Sequence, residues 1–487
     1  MSNKFLQNAS YYSIASIFTV VASLVSFPIL TRVFEVSEYG LLGLVTATVP
    51  MLVSIGKIGL QHASLRHYAE IKSKTSKWSL DQFYTTVYGS LLLSALLTFV
   101  LWNVVIYLFG MDVLADELLC SLFAISSYII IVRILESVMM NILRAKEEAG
   151  KYASYLIAKR AATLLTTLSV LLLYQVDLVL YIITLTATEC AVFLIYASFH
   201  VPFASLRPRF FQTKLLLSMM AFGIPLFGQE IAGALITLTD RYVINFYVNA
   251  QQLGIYTSAY TLVDYAQGII TTAIVASALP IFLRLHSNEG EESAKAFIEN
   301  ALRTYIWAAV PIVFLIASAG EAAIAFLAGE KYSQGASVMP WIAVGMALHG
   351  SYAIVSAGIY LSNNTLKMFY TVAVIAILNL VLNLIFVPKF GITGAAITTL
   401  VSYCCSTVAY YQLSKKYMDF QVPWLSLLAA LVSAVAMFFA LELYAPQNTL
   451  LELVYKGAVG ITLYAALLIV FDAHARQRVG EILKRST

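Results

Sequence analysis

Charged side chains are scarce in this chain: Asp, Glu, Lys and Arg supply 11% of its 487 residues, against about 25% in a soluble domain. So few charges cannot cover a water-facing surface, which excludes an ordinary soluble globular protein. Polar connecting sequence is equally short. The longest stretches between apolar segments, near 61–82 and 282–303, run to about 20 residues, too few for a domain of their own, so any function must reside within the apolar segments. Cysteine is rare, and Cys120, Cys190, Cys404 and Cys405 all fall in or beside apolar stretches, without metal-ligand spacing or a paired loop framework. Packing is their expected role. GxxxxGK[ST] and the motifs of hydrolytic triads are missing, and HASLRH at 62–67 lacks the spacing of a zinc-binding HExxH. The chain is therefore expected to be no enzyme and to need no cofactor or metal. An ion gradient, the membrane potential or the substrate's own gradient would have to drive any transport.

What is present is apolar sequence in long runs. Hydrophobic residues make up 60% of the chain and its mean hydropathy is +0.82. A helix needs about 20 mostly apolar residues to cross the hydrocarbon, whereas a membrane β-barrel would show alternating strands of about 10 residues, and no such alternation occurs. The expected fold is all-α and integral to the membrane. Fourteen spans are read at about 10–31, 40–60, 83–109, 118–140, 152–175, 178–199, 215–248, 255–281, 304–328, 337–361, 369–387, 395–413, 424–445 and 453–473. The seventh is too long for a straight crossing, and Gly223, Pro225, Gly228 and Gly233 point to a bent helix. With the N-terminus inside, 21 Lys and Arg residues lie in inner segments and only Arg32, Lys331 and Lys389 in outer ones, which places both termini in the cytoplasm. The first apolar stretch runs into Pro28 and Arg32 without a small-residue cleavage site, so it is expected to stay as a span. The net charge of +4 follows from this topology and from anionic lipid, with no call for nucleic acid.

The second half echoes the first. TRVFEVSEYGLLG after span one resembles DRYVINFYVNAQQLGIYTSA after span seven, with Arg32 over Arg241 and Gly40 over Gly254. Tyr152 likewise aligns with Tyr370. This predicts an N-lobe at 1–209 with helices 1–6, a C-lobe at 210–416 with helices 7–12, and helices 13 and 14 with a tail at 417–487. Two pseudo-symmetric six-helix repeats in the same orientation are the expectation, enclosing a site near the midplane.

A charge at the centre of a span costs about 2.5–3.5 kcal/mol on insertion scales, so each one needs a partner, water or an escape route. Lys159 and Arg160 lie well inside span five, and Arg160 shares a helical face with Thr163 and Thr167; they are the leading candidates to bind an anion, with snorkelling the alternative. Arg133 and Glu136, three apart in span four, can pair with each other or meet a ligand. Lys57 shares a face with Pro50, Ser54 and Gln61 near the end of its span and is a binding candidate expected to snorkel. Lys456 should pair with Glu452 at i, i+4. Among the carboxyls, Asp264 lies in a stripe with Tyr260, Gln267 and Thr271, and Glu230 in one with Thr237 and Arg241. Glu189 sits in mid-span without a cation on its own helix, which suggests a neutral proton relay or a hydrogen-bonded packing group. Glu189, Glu230 and Asp264 are thus the ion-coupling candidates. Asn379 and Asn383, at i, i+4, could hydrogen-bond a sugar or join helices. Asp240 is expected to pair with another helix, and His349 to pack.

FPILTRVFEVSEYGLLGLV, IGLQHASLRHYAE, PLFGQEIAGALITLTDRYVI with LGIYTSAYTL, and LIFVPKFGITGAAITTLVSY resemble, in order and spacing across nearly the whole chain, the Wzx-type polysaccharide (O-antigen) flippases of the multidrug/oligosaccharidyl-lipid/polysaccharide exporter superfamily. The resemblance implies a two-lobed, fourteen-helix transporter of the bacterial inner membrane. It implies a partner, an oligosaccharide linked to undecaprenyl pyrophosphate, moved from the cytoplasmic to the periplasmic face with H+ or Na+ as coupling ion, and contacts with membrane lipid and other polysaccharide-assembly proteins. The cationic cavity of the family would fall here on Arg133, Lys159, Arg160 and Arg241. An ion-coupled multidrug or small-molecule exporter of the same superfamily is the alternative, and would favour acidic cavity residues. A glycosyltransferase or polymerase would need a larger loop outside the membrane than the chain provides.

Overall fold

The computed structural model describes residues 2–114, 116–173, 177–271, 274, 276–361, 365–444 and 446–486. The described residues are helical, with short turns and no strand. Parts of three expected spans, at 174–175, at 272, 273 and 275, and at 445, lie outside them.

The chain divides into two compact units, Met1–Leu238 and Thr239–Thr487. The first holds α1 (Ser2–Val33), α2 (Val36–Lys57), α3 (Leu60–Lys72), α4 (Leu80–Leu114), α5 (Glu117–Ala145), α6 (Ala149–Leu173), α7 (Leu178–His200) and most of α8 (Thr213–Tyr247). The second holds the end of α8, then α9 (Ala250–Ile270), α10 (Ala276–Glu289), α11 (Glu291–Leu327), α12 (Met339–Gly350), the short α13 (Tyr352–Val355) and α14 (Ala357–Leu361), α15 (Thr365–Lys415), α16 (Trp424–Glu442), α17 (Thr449–Phe471) and α18 (Ala473–Ser486).

Polar residues in the turns start the helices. The Asp116 side chain accepts from the Leu119 amide at 2.9 Å, Asp177 from Leu180 at 2.6 Å, Asn249 from Gln252 at 2.8 Å, and Asn448 from Leu450 and Leu451. Each satisfies amides that the first helical turn leaves without a carbonyl. The exterior is apolar, with Leu93, Tyr107, Phe199 and Leu425 all at least 70% exposed, while Thr86, Ser127, Asn379 and Asn383 are fully buried. Polar inside and apolar outside is the arrangement lipid demands. The protein is a multi-pass membrane protein.

Ten helices among the described residues are long and apolar enough to cross a bilayer, and α8 makes eleven if its bent halves count as one span. The difference from the fourteen expected segments is traceable. Helices α6, which carries Lys159 and Arg160, and α9, which carries Asp264, fall outside that set, and the eleventh and twelfth segments run together in α15, whose helical path is broken at Gly391 (φ 57°, ψ −139°). The expected bend in α8 is present, 45° between Thr213–Ile224 and Leu226–Tyr247. It falls at residue 225, a proline without an amide N–H to donate.

A second break separates α2 from α3, where Ile58 (φ 48°) and Gly59 (φ 71°) are both left-handed. Gly59 meets the backbone of Gly223 here: a Cβ at Gly59 would lie 2.2 Å from the Gly223 carbonyl oxygen, and one at Gly223 would lie 2.6 Å from that of Gly59. Gly59→Ala is therefore expected to lower the yield of folded protein and its thermal midpoint in detergent, whereas Gly233→Ala, with open space around its Cβ, should leave both unchanged. An unaltered Gly59→Ala midpoint would mean that the two backbones are not in contact.

In the second unit, Phe282, Ile298, Tyr305, Ile354, Tyr410, Phe420, Met437 and Tyr464 form one buried core. Lys456 pairs with Glu452 at 2.7 Å, as the spacing predicts, and also donates to the Ser318 carbonyl at 2.7 Å. His349 stacks on Tyr403, with ring centroids 4.4 Å apart, the expected packing role.

Candidate functional site

Within the first unit, a cleft of about 620 Å³ opens where α2 and α5 end and α6 begins. Its wall carries Lys57, Arg133, Arg144 and Lys159, with Glu136, Glu230, Gln61, His62, Asn141 and Tyr152. Two salt-bridge systems organise it.

The first runs through three helices. Arg133 on α5 grips Glu189 on α7 with two bonds, Nε to Oε2 at 2.9 Å and Nη2 to Oε1 at 2.7 Å. Lys159 on α6 lies 3.2 Å from the same carboxylate and 2.7 Å from Glu136. The local pairing of Arg133 with Glu136 is thus replaced by a cross-helix one. The two-pronged guanidinium–carboxylate fit is better than any geometry available three residues along one helix. Glu189 has no cation on its own helix, as its sequence position indicates, and takes its partners from two others: its side chain is only 4% exposed and lies between Arg133 and Lys159.

The second system centres on Glu230 of α8. Ser54 Oγ and Lys57 Nζ each donate to its Oε1 at 2.7 Å, and Gln61 Nε2 donates to its Oε2 at 2.7 Å. His62 Nε2 lies 3.6 Å away. Lys57 does not snorkel. Its side chain is 14% exposed, because a carboxylate within reach matches its charge better than a climb toward the membrane surface.

Other candidates separate. Lys159 faces the cleft but Arg160 turns to α1, donating to Ser23 Oγ at 2.6 Å. The side chains of Thr163 and Thr167 are buried, and Thr163 bonds back to the Arg160 carbonyl, so the Thr-bearing face of α6 packs and does not line a wet cavity. The stripes also break. Thr237 hydrogen-bonds its own helix, Glu230 joins the cleft, and Arg241 belongs to the second unit, its guanidinium 4.9 Å from the Tyr260 ring centre. Asp264 is exposed while Tyr260 and Gln267 are buried.

In the second unit the polar centre is Asp240, 1% exposed. Its carboxylate accepts from Tyr256 at 2.8 Å, from Thr399 at 2.6 Å and from Asn383 at 3.0 Å. Asn383 is tied to Asn379, and Asn379 to Ser402. Both asparagines are fully buried and join helices; neither reaches a surface where a sugar could bind in this conformation.

The sequence reading missed two residues. Asp240 was legible as a partner seeker but not as a hub. Arg144 was counted only as a topological cation; here its guanidinium stacks over Tyr152, 4.6 Å from the ring centre, and donates to the hydroxyl. Among the described residues it has no carboxylate partner. The walls therefore hold four cations against Glu136 and Glu230, with Glu189 behind them, a nearly balanced set and less basic than expected.

Comparison with known proteins agrees with this architecture. The probable low-salt glycan biosynthesis flippase Agl15 of Haloferax volcanii is 20% identical over 271 residues. That match spans 55% of this chain and 56% of Agl15, little more than half of each. Among solved structures, the lipid II flippase MurJ in an inward closed conformation superposes with a TM-score of 0.78 at 17% identity, over 94% of this chain and 98% of that one. An inward-facing multidrug resistance MATE transporter of the MOP superfamily gives 0.69 at 13% identity, over 84% and 97%. At those identities the two structures establish a shared fold. Residues 5–286 match the polysaccharide biosynthesis protein family, and by that match over more than half its length the chain belongs to this family.

Proposed function

We propose that this protein is a flippase for lipid-linked oligosaccharides, moving a sugar chain carried on polyprenyl pyrophosphate, in bacteria undecaprenyl pyrophosphate, from the cytoplasmic to the periplasmic face of the inner membrane by ion-coupled alternating access. The two sequence repeats, 1–209 and 210–416, are its moving lobes, with 417–487 outside them. Family membership and the printed description of Agl15 as a glycan biosynthesis flippase support the substrate class. The observation that carries the reading is Arg144. It is an exposed cation without a carboxylate partner among the described residues, at the mouth of a cleft with Asn141, Gln61 and Tyr152 beside it. Guanidinium suits a phosphate through its fork of donors, and amides and an aromatic ring suit sugars. Arg133, Lys57 and Lys159 form the charged floor behind it.

Coupling is assigned to Asp240. Glu189 and Glu230 have their charge matched by cations, so neither gains much from a proton or Na+. Asp240 is held by hydroxyl and amide donors, so a proton or Na+ arriving there would relieve a buried charge. Asp264, exposed on α9, is the second choice.

The test is transport of a fluorescent polyprenyl-pyrophosphate oligosaccharide in proteoliposomes. Arg144→Gln should reduce the rate by about tenfold or more, the loss of a charged hydrogen bond of about 1.5–3 kcal/mol, with thermal stability retained. The acidic residues in the cleft favour a second reading, a cation exporter. Efflux of a cationic dye by the wild type, with no movement of the lipid, would establish that reading in place of ours.

A further inference from the structure

The Glu230 carboxylate is bound as a substrate anion would be. Ser54, Lys57 and Gln61 saturate its two oxygens at 2.7 Å, and His62 stands 3.6 Å off. Ser54 and Gln61 are 6% and 5% exposed, so they are part of a rigid cup and not surface side chains that happen to touch. The cup is built by the α2/α3 break. Two successive left-handed residues, Ile58 and Gly59, end α2 at Lys57 and start α3 at Leu60, which sets Gln61 and His62 in the first turn of α3, where they reach the same carboxylate as Lys57. Glu230 itself remains 29% exposed and lines the open cleft. Ser54, Lys57 and Gln61 are thus enclosed and His62, 44% exposed, stands at the open side, so the occupant can leave.

We propose that Glu230 is an internal stand-in for the substrate's phosphate: it fills the anion cup formed by Ser54, Lys57, Gln61 and His62, and a phosphate or pyrophosphate group loads by displacing it. The inference rests on the reading of the cleft as an anion site. It adds a conformational consequence. Glu230 lies five residues beyond the bend of α8, where Gly223 touches Gly59 at the base of the cup. Displacing the carboxylate frees the segment beyond the bend from α2 and α3, so loading and the motion of α8 become one event. A cup that holds its own carboxylate most of the time binds a competing anion more weakly by the fraction of time it is open.

Binding of two probes to the full-length protein in detergent, inorganic pyrophosphate and farnesyl pyrophosphate, tests this by titration calorimetry. Glu230→Gln should bind either probe about tenfold or more tightly than the wild type, the gain expected if the cup is open a tenth of the time or less. Glu230→Asp keeps the charge but falls one methylene short of the donors, so it should bind several-fold more tightly. A general change in charge predicts no gain for Glu230→Asp, and wild-type affinity in that variant would overturn the proposal. Adding Lys57→Met to Glu230→Gln should erase the gain. Neither single variant removes a donor of the cup, and a monodisperse size-exclusion profile is the check that each one folds. If the wild type binds the probes in a Lys57-dependent way but Glu230→Gln binds no more tightly, the stand-in fails while the anion site stands. If no variant binds either probe, both fail. Tighter binding of farnesyl pyrophosphate than of pyrophosphate assigns the cup to a lipid headgroup; equal affinities assign it to a free anion, with the displacement intact.

Discussion

Arg133→Met is expected to stop transport and to destabilise the protein by about 3–5 kcal/mol, the range found when one partner of a buried ion pair is removed. The reason lies in Glu189. Its side chain is 4% exposed and depends on Arg133 for two of its hydrogen bonds; Lys159 alone, shared with Glu136, cannot replace a fork of donors. Arg133→Lys should recover part of the stability, since the charge returns without the second prong. The double variant Arg133→Met, Glu189→Leu should recover more, because no buried charge is then left without a partner. Transport should remain absent in the double variant, whose cleft has lost a floor cation. Thermal unfolding in detergent and proteoliposome flux separate the two effects. A wild-type midpoint for Arg133→Met would show that the bidentate pair does not form.

Asp240→Asn should leave the fold largely intact and uncouple transport. Asparagine still accepts from Tyr256 or Thr399, so the hub keeps part of its network, while the group that would exchange a proton or Na+ is gone. Uphill flux driven by an imposed gradient should fall at least tenfold, and exchange of labelled for unlabelled substrate without a gradient should persist. Asp240→Ala is the more severe change. It strands the hydroxyl donors of Tyr256 and Thr399, each an unmet buried hydrogen bond worth about 1–3 kcal/mol, leaves Asn383 with Asn379 alone, and should yield little folded protein. Normal gradient response in Asp240→Asn, with Asp264→Asn deficient, would move the coupling site to α9.

Much of the fold was legible because lipid imposes a single rule over long stretches: apolar runs of spanning length read as helices whatever their neighbours. The bend in α8 and the Lys456–Glu452 pair were also local, set by a proline and by i, i+4 spacing. The pairings that define the site were not. Arg133 has Glu136 three residues away, and nothing in the chain order signals that Glu189, 56 residues on, offers the better fit. Lys159 and Arg160 are neighbours in sequence, yet about 100° of helical rotation sends one to the cleft and the other to Ser23 on α1.

What the sequence determined by itself is the class of the protein and the list of charges that had to find partners, since burial in hydrocarbon is costly for any ionisable group wherever it sits. Which partner each charge took was decided only by the tertiary structure. Hydrogen-bond geometry falls off within a few tenths of an ångström, and distances on that scale are fixed by how helices pack and not by their order in the chain.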